Sequence, residues 1–156
     1  MSNENKIKKI CVVGAGHWGL NHVKALQRLN ALGGVVDNNA NVRDELLSIF
    51  PNCEIYATIE DSFNHGFDGY IVSSPPITHF EIAKKIIKHK KPVLVEKPIT
   101  LSLKDSMELN KLAKANKVNL MVGHLLLFHP AFVKIKELIE DNRIGEVQYV
   151  YSNRLN

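Results

Sequence analysis

Short apolar runs alternate along this chain with longer segments whose apolar positions recur every three to four residues. Ile10-Cys11-Val12-Val13 is an unbroken apolar run, the signature of a strand buried on both faces. Residues 17–29 follow with Leu20, Val23, Leu26 and Leu29 on one side, which predicts a helix with one inward face. The same reasoning predicts strands over 31–36, 55–57, 68–72, 93–95 and 118–122, and helices over 41–50, 78–88, 103–115 and 131–140. Pro51 stops the second helix, and Ile82, Ile86 and Ile87 form the inward face of the third. Asp105 early and Lys111 and Lys114 late suit the dipole of the fourth. Residues 146–152 alternate in the manner of a half-exposed strand. Strands alternating with helices form a parallel sheet with both faces covered, so the expected fold class is α/β, a doubly wound parallel sheet.

Composition narrows this picture. A chain of 156 residues with 45% hydrophobic content can form one domain that buries about two thirds of its unfolded surface. Lys and Arg exceed Asp and Glu by 20 to 16, a net charge of +4; so mild a balance suits anionic small ligands and does not call for nucleic acid. The one basic cluster, Lys84, Lys85, Lys88, Lys90 and Lys91, falls at a predicted helix end, where cations complement the dipole, and no aromatic platform accompanies it. Cys11 and Cys53 lack any CxxC or metal-ligand spacing, so a reduced, cytoplasmic protein without a metal site is expected. The polar start and the shortness of the first apolar run argue against a signal segment or a membrane span.

Gly14-Ala15-Gly16-His17-Trp18-Gly19 follows a buried strand and opens a helix, and an acidic residue, Asp37, closes the next strand. That context makes a glycine-rich turn a dinucleotide fingerprint. Gly14 permits the tight turn, Gly16 lets the backbone approach a pyrophosphate, and Gly19 lets the helix pack closely on the strand. The N–H groups of the helix start, around His17 and Trp18, then face the anion. Asp37 is placed to accept hydrogen bonds from both ribose hydroxyls, with Asn38 beside it. Its charge opposes a 2′-phosphate by about 1 to 4 kcal/mol per phosphate charge at ~4 Å, so NAD is expected over NADP. Asn38 and Asn39 supply no cationic clamp, and Arg43 lies further into the helix. The alternative reading of Asp37 is a cap for that helix.

Two further stretches lie where strands end and ligands bind in doubly wound sheets. Ser73, Ser74 and Pro75, with His79 at the start of the next helix, are candidate cofactor contacts, although turn and cap chemistry also explains the string. Glu96-Lys97-Pro98 closes the fifth strand. A lysine of ordinary pKa near 10.4 is almost wholly protonated at neutral pH, and lowering it by ~3 units takes about 4 kcal/mol. A cationic nicotinamide and partial burial both act in that direction. Lys97 is therefore the candidate catalytic group, hydrogen-bonded to a reacting hydroxyl, and a candidate cofactor contact as well. Adjacent residues of an extended strand project to opposite faces, so Glu96 is expected to brace the loop or touch the cofactor.

Gly14 to Gly19, Asp37, the Ser74-Pro75 turn ending in His79, Glu96-Lys97-Pro98 and the stretch from Gly123-His124 to Phe128-His129-Pro130 together resemble the glucose-fructose oxidoreductase, inositol dehydrogenase and MocA family. The resemblance implies a Rossmann domain binding NAD, a lysine at the position of Lys97 regarded as catalytic, and a sugar substrate. Residues 144–156 are similar to members that oxidise the C3 hydroxyl of UDP-linked N-acetylated hexoses or hexuronic acids to a ketone. The likeness covers the cofactor half of a family member. It implies a dinucleotide-binding domain over 1–122, a junction over 123–145, and, over 146–156, the first strand of an α+β sheet domain that otherwise lies beyond Asn156. It also implies a substrate-facing role for His124 and a homo-oligomer in the full-length form. Pro76 stands where many members have Asn, and residues 124–127 lack an Arg common there, so those contacts do not transfer. A module that binds NAD(H) without turnover, or an inactive remnant, is the alternative.

Overall fold

A computed structural model describes residues 7–153. Six parallel strands form its sheet: β1 (Ile10–Val13), β2 (Leu32–Val36), β3 (Glu54–Tyr56), β4 (Gly69–Val72), β5 (Val93–Val95) and β6 (Leu120–Val122), in the order β3-β2-β1-β4-β5-β6. Helices α1 (Gly19–Arg28), α2 (Ala40–Ile49), α3 (Ile59–Ser62), α4 (Pro76–Lys88), α5 (Leu103–Asn116) and α6 (Pro130–Glu140) intervene or follow. Strand order reverses at β1, which pairs with β2 through Val12–Val35 and with β4 through Val12–Ile71. In such sheets the crevice outside the carboxyl ends of the two diverging strands receives the ligand.

Alternation along the strands divides the core into two layers. Val12 and Val35 pack with Val23 and Leu26 of α1 and Leu46 of α2 on one face. Cys11, Val13, Val72 and Val95 pack with Ala83, Ile86 and Ile87 of α4 and Leu109 and Ala113 of α5 on the other. Successive residues of a strand point to opposite faces, so one unbroken apolar run serves both layers. Burying each such Val, Leu or Ile contributes about 1.5–3 kcal/mol.

The pattern places every predicted sheet strand within two residues of its observed position. Three differences have physical causes. The helix predicted over 17–29 begins at Gly19 and ends at Arg28, leaving Leu29 68% exposed beyond the inward face. The short α3 carries too few residues to display a period; it is set by Thr58, whose hydroxyl accepts from the Asp61 N–H, and by burial of Ile59 and Ser62. Residues 146–153 form no strand, because a strand requires a ladder and none of the described residues pairs with them; residues 154–156 lie outside the described residues.

The chain divides into two compact units, Met1–Gly123 and His124–Asn156. Gly123 belongs with the sheet because its N–H donates to the Val95 carbonyl at 2.9 Å. In the second unit α6 follows a 3-10 turn over Leu125–Phe128. Among the described residues, no helix is long and apolar enough to cross a membrane.

Candidate functional site

The glycine turn at the end of β1 is built for close approach. Gly14 has φ +88°, a left-handed conformation that L side chains rarely adopt, and a Cβ there would lie 2.6 Å from the Ser74 backbone. At Gly19 a Cβ would come within 2.0 Å of the Gly14 carbonyl oxygen, so α1 starts directly against the turn. Gly16 is different: a Cβ there would meet nothing within 4 Å. The turn is therefore closed at Gly14 and Gly19 by the protein itself and open at Gly16 to solvent.

Helix capping singles out the same place. Side chains cap α2 through Asn39, α3 through Thr58, α5 through Ser102 and α6 through His129. The starts of α1 and α4 have no side-chain cap, and these two helices follow β1 and β4, the strands that flank the reversal of strand order. No side chain covers the positive end of either helix dipole, although the Leu20, Asn21 and Thr78 N–H groups donate to the Gly16, Trp18 and Pro75 carbonyls and Pro76 has no N–H to offer. Of the two, the start of α1, beside the open Gly16, is the one with room for an anion to approach the backbone.

Asp37 reaches back to this turn. Its Oδ2 accepts from the Ala15 N–H at 2.8 Å and its Oδ1 from the Asn39 N–H at 2.9 Å. Asn39, and not Asp37, caps α2, accepting from the Asn41 N–H, so the cap reading of Asp37 falls. Arg43 comes closer than its place in the sequence suggests, donating from Nη1 to the Asp37 carbonyl at 2.9 Å. Its guanidinium thus props the backbone at the end of β2. Asn38, His17 and Trp18 are exposed around the turn.

The wall on the far side comes from β4. Ser73 donates from Oγ to the Gly14 carbonyl at 2.7 Å, and Ser74 Oγ pairs with Thr78 Oγ1, which donates to the Pro75 carbonyl. The expectation that His79 faces the cleft is corrected. The ring is 1% exposed and both of its nitrogens lie against backbone carbonyls, those of Ser74 and Pro98. Its packing leaves no edge for a ligand.

Glu96 and Lys97 diverge as adjacent strand-end residues should. Glu96 is buried, its carboxylate packed where a Cβ on Gly123 would meet it at 2.8 Å. His22 Nε2–H donates to Glu96 Oε1 at 2.8 Å, and the Lys97 N–H donates to Oε2 at 3.3 Å. Burial pushes the Glu96 carboxyl up, but hydrogen bonds from His22, the Trp18 side chain and the Lys97 backbone outweigh it and hold the group below the ordinary carboxylate range. Glu96 is thus a brace between α1 and the end of β5. His22 is not singled out by the sequence, and Gly123 enters there only as the start of the Gly123-His124 stretch. The available signal was the spacing of Trp18 and His22, one helical turn apart, although nothing in the pattern names Glu96 as their partner.

Because the folded carboxyl lies below its unfolded value, its contribution to stability is complete above the unfolded pKa and is lost as pH falls through the folded one. The stability gap between the parent chain and Glu96→Gln should hold near neutrality and close below about pH 4.5. Urea unfolding at a series of pH values checks this; a gap that widens on acidification would contradict it.

Lys97 is exposed, and among the described residues its ammonium has no hydrogen-bond or ion-pair partner. The partial burial expected for it is not supplied by the first unit. His124 opens the second unit and is exposed, while His129 accepts from the Ala131 N–H as the cap of α6. In the basic cluster, Lys84 pairs with Glu108, Lys85 with Glu60, and Lys91 donates to the Phe67 carbonyl. Those ammonium groups serve packing between elements.

The chain matches the family described as oxidoreductase family, NAD-binding Rossmann fold, over residues 8–124. It is 30% identical over 148 residues to the scyllo-inositol 2-dehydrogenase (NAD(+)) of Bacillus subtilis, covering 90% of this chain and 42% of that protein. It is 28% identical over 152 residues to an inositol 2-dehydrogenase of Rhodococcus jostii, covering 94% and 41%. Among solved structures, the UDP-N-acetylglucosamine 3-dehydrogenase GnnA from Acidithiobacillus ferrooxidans is similar with a TM-score of 0.77 at 26% identity, covering 83% of this chain and 42% of that one. The chain thus spans about two fifths of the length of these relatives. With the strand order, the glycine turn and Asp37 in agreement, this chain belongs to the oxidoreductase family with an NAD-binding Rossmann fold, that of glucose-fructose oxidoreductase, inositol dehydrogenase and MocA.

Proposed function

We propose that this chain is the cofactor-holding part of an NAD-dependent dehydrogenase that oxidises a hydroxyl of a sugar or UDP-linked sugar to a ketone. The observation that carries the reading is the glycine turn at the strand-order reversal, open at Gly16 and leading into a helix start with no side-chain cap. The residues fit the cofactor. A diphosphate would take the N–H groups of the turn from Gly16 through Gly19, in space that a side chain at Gly16 would fill. Each Asp37 oxygen accepts one N–H and retains lone pairs for a ribose hydroxyl. Ser73, Ser74 and Pro75 would wall the cofactor on the β4 side, with His17, Trp18 and Asn38 at its rim. Glu96 would brace the start of α1 and the Lys97 backbone beside the cofactor.

Bound NAD would supply the hydride acceptor. Lys97, beyond the end of β5, would hydrogen-bond the reacting hydroxyl and take its proton, while His124 is the candidate substrate contact of the second unit. The relatives' names support polyols and UDP-N-acetylated hexoses as substrate classes. The two cysteines are free, and burial pushes the Cys53 thiol up to about 11.

Titration calorimetry tests the cofactor. NAD should bind at least tenfold more tightly than NADP, equivalent to about 1.4 kcal/mol, and Asp37→Ser should weaken NAD and narrow that gap. Equal affinities in the parent chain would sink the assignment. Turnover is tested by reduced-cofactor absorbance with inositols and UDP-N-acetylhexoses, using a protein of the relatives' full length. Binding without reduction there would favour a binding module.

A further inference from the structure

Glu96 and Lys97 are adjacent at the end of β5, yet the anchor of their loop lies on α1. His22 Nε2 is 2.8 Å from Glu96 Oε1, and the Lys97 N–H donates to Oε2 at 3.3 Å. The side chain of Trp18, one helical turn before His22, bonds the same carboxylate. Three donors from two elements thus converge on one carboxylate, an arrangement that favours its ionised form. An ionised carboxylate only accepts, so His22 must hold a hydrogen on Nε2, which a ring of either charge can do. The His22 side chain is 18% exposed and that of Glu96 8%, so water competes little for the bond. The far side of the carboxylate is closed, since a Cβ on Gly123 would lie 2.8 Å from Oε1. The strand ends around it are pinned: the Glu96 N–H bonds the Val72 carbonyl at 2.8 Å and the Gly123 N–H bonds the Val95 carbonyl at 2.9 Å.

We propose that His22 is a positioning residue for the reaction: by holding Glu96 Oε1 it keeps Oε2 on the Lys97 peptide, and so sets that lysine against the glycine turn. The reason lies in connectivity. α1 begins at the turn that would hold the diphosphate, and the same helix start carries Trp18 and His22, the side chains that orient the carboxylate. The Lys97 ammonium has no partner among the described residues, so its peptide is where the protein can fix it. Without His22, Oε1 would be left buried with one donor fewer, a costly state for a carboxylate. The group would turn toward Trp18 or solvent and release the Lys97 N–H. The positioning role rests on the proposed function; the link from His22 to the Lys97 N–H does not.

Amide hydrogen exchange of this chain, read residue by residue by NMR, tests the link. In the parent the Lys97 N–H should exchange about tenfold or more slowly than a free peptide. His22→Phe should abolish that protection, and His22→Gln, whose amide nitrogen reaches as far as Nε2, should keep it. An unprotected Lys97 N–H in the parent, or protection unchanged in His22→Phe, would overturn the proposal while leaving the functional reading intact. The role itself is tested by kinetics in a protein of the relatives' full length. His22→Phe should lower kcat about 10- to 100-fold, as for a reacting group displaced by about 1 Å, while KM for NAD moves much less. His22→Gln should restore most of kcat. Unchanged kcat in His22→Phe, or an equal loss in His22→Gln, would overturn the positioning role. If His22→Phe does not fold, His22→Leu, which removes the donor with less bulk, replaces it; if neither folds, exchange in the parent decides alone. Failure of the parent chain to bind NAD would remove the functional reading without touching the link.

Discussion

Gly16→Ala is expected to leave the thermal stability of this chain unchanged or slightly raised while weakening NAD(H) binding tenfold or more. No atom lies within 4 Å of the Cβ it would add, and a residue with fewer unfolded conformations than glycine stabilises by about 0.4–1 kcal/mol where the backbone accepts it. The new methyl would instead occupy the space through which a diphosphate approaches the backbone. Gly19→Ala is the matched contrast. Its Cβ would sit 2.0 Å from the Gly14 carbonyl oxygen, a clash between backbone segments that no rotamer relieves. That variant should lose about 3 kcal/mol or more, beyond ordinary overpacking, which lowers Tm by roughly 10 °C in a domain of this size. Thermal unfolding and calorimetric titration of both variants separate a ligand-facing glycine from a packing glycine. A Gly16→Ala chain that binds NAD as the parent does would remove the turn from the site.

Lys97→Ala is expected to lower turnover by about 10²- to 10⁴-fold, the range for losing a positioned proton acceptor. Stability and NAD affinity should change little, because Lys97 is exposed and its ammonium meets no partner among the described residues. The contrast with its neighbour sharpens the test. Glu96→Ala would leave a buried hollow beside Gly123 and strip His22 of its acceptor, so it should cost stability first and activity only through the displaced loop. Steady-state kinetics in a full-length relative-sized protein, with unfolding measured in parallel, distinguish the two. Full turnover in Lys97→Ala would refute the role of that lysine.

Local pattern carried most of the fold and, at the candidate site, the turn and the strand ends that form it. Ile10 to Val13 reads as a doubly buried strand because both of its faces are apolar, and it is one. The glycine turn and Asp37 were legible because their chemistry depends on backbone conformation and on neighbours close in sequence. Glu96 as a brace was not, since its partner His22 lies 74 positions away. His79 was misplaced for the same reason: a histidine opening a helix looks like a cleft residue until the turn after β5 closes over it. The absence of a strand over 146–153 shows the limit of alternation, which states which face a strand would bury but cannot provide a neighbour to pair with.

By itself, then, the sequence determined the class of fold, the NAD-type turn and the lysine at the end of β5, because periodicity, φ preference and charge are properties of local chain. Only the tertiary structure decided that Gly16 is the open one of the three turn glycines, that α1 and α4 lack side-chain caps, and that Glu96 and His79 are held inside the protein. Those are facts about distance between segments far apart in sequence. They are set when the six strands pair and the turns after β1, β4 and β5 come to share one edge of the sheet.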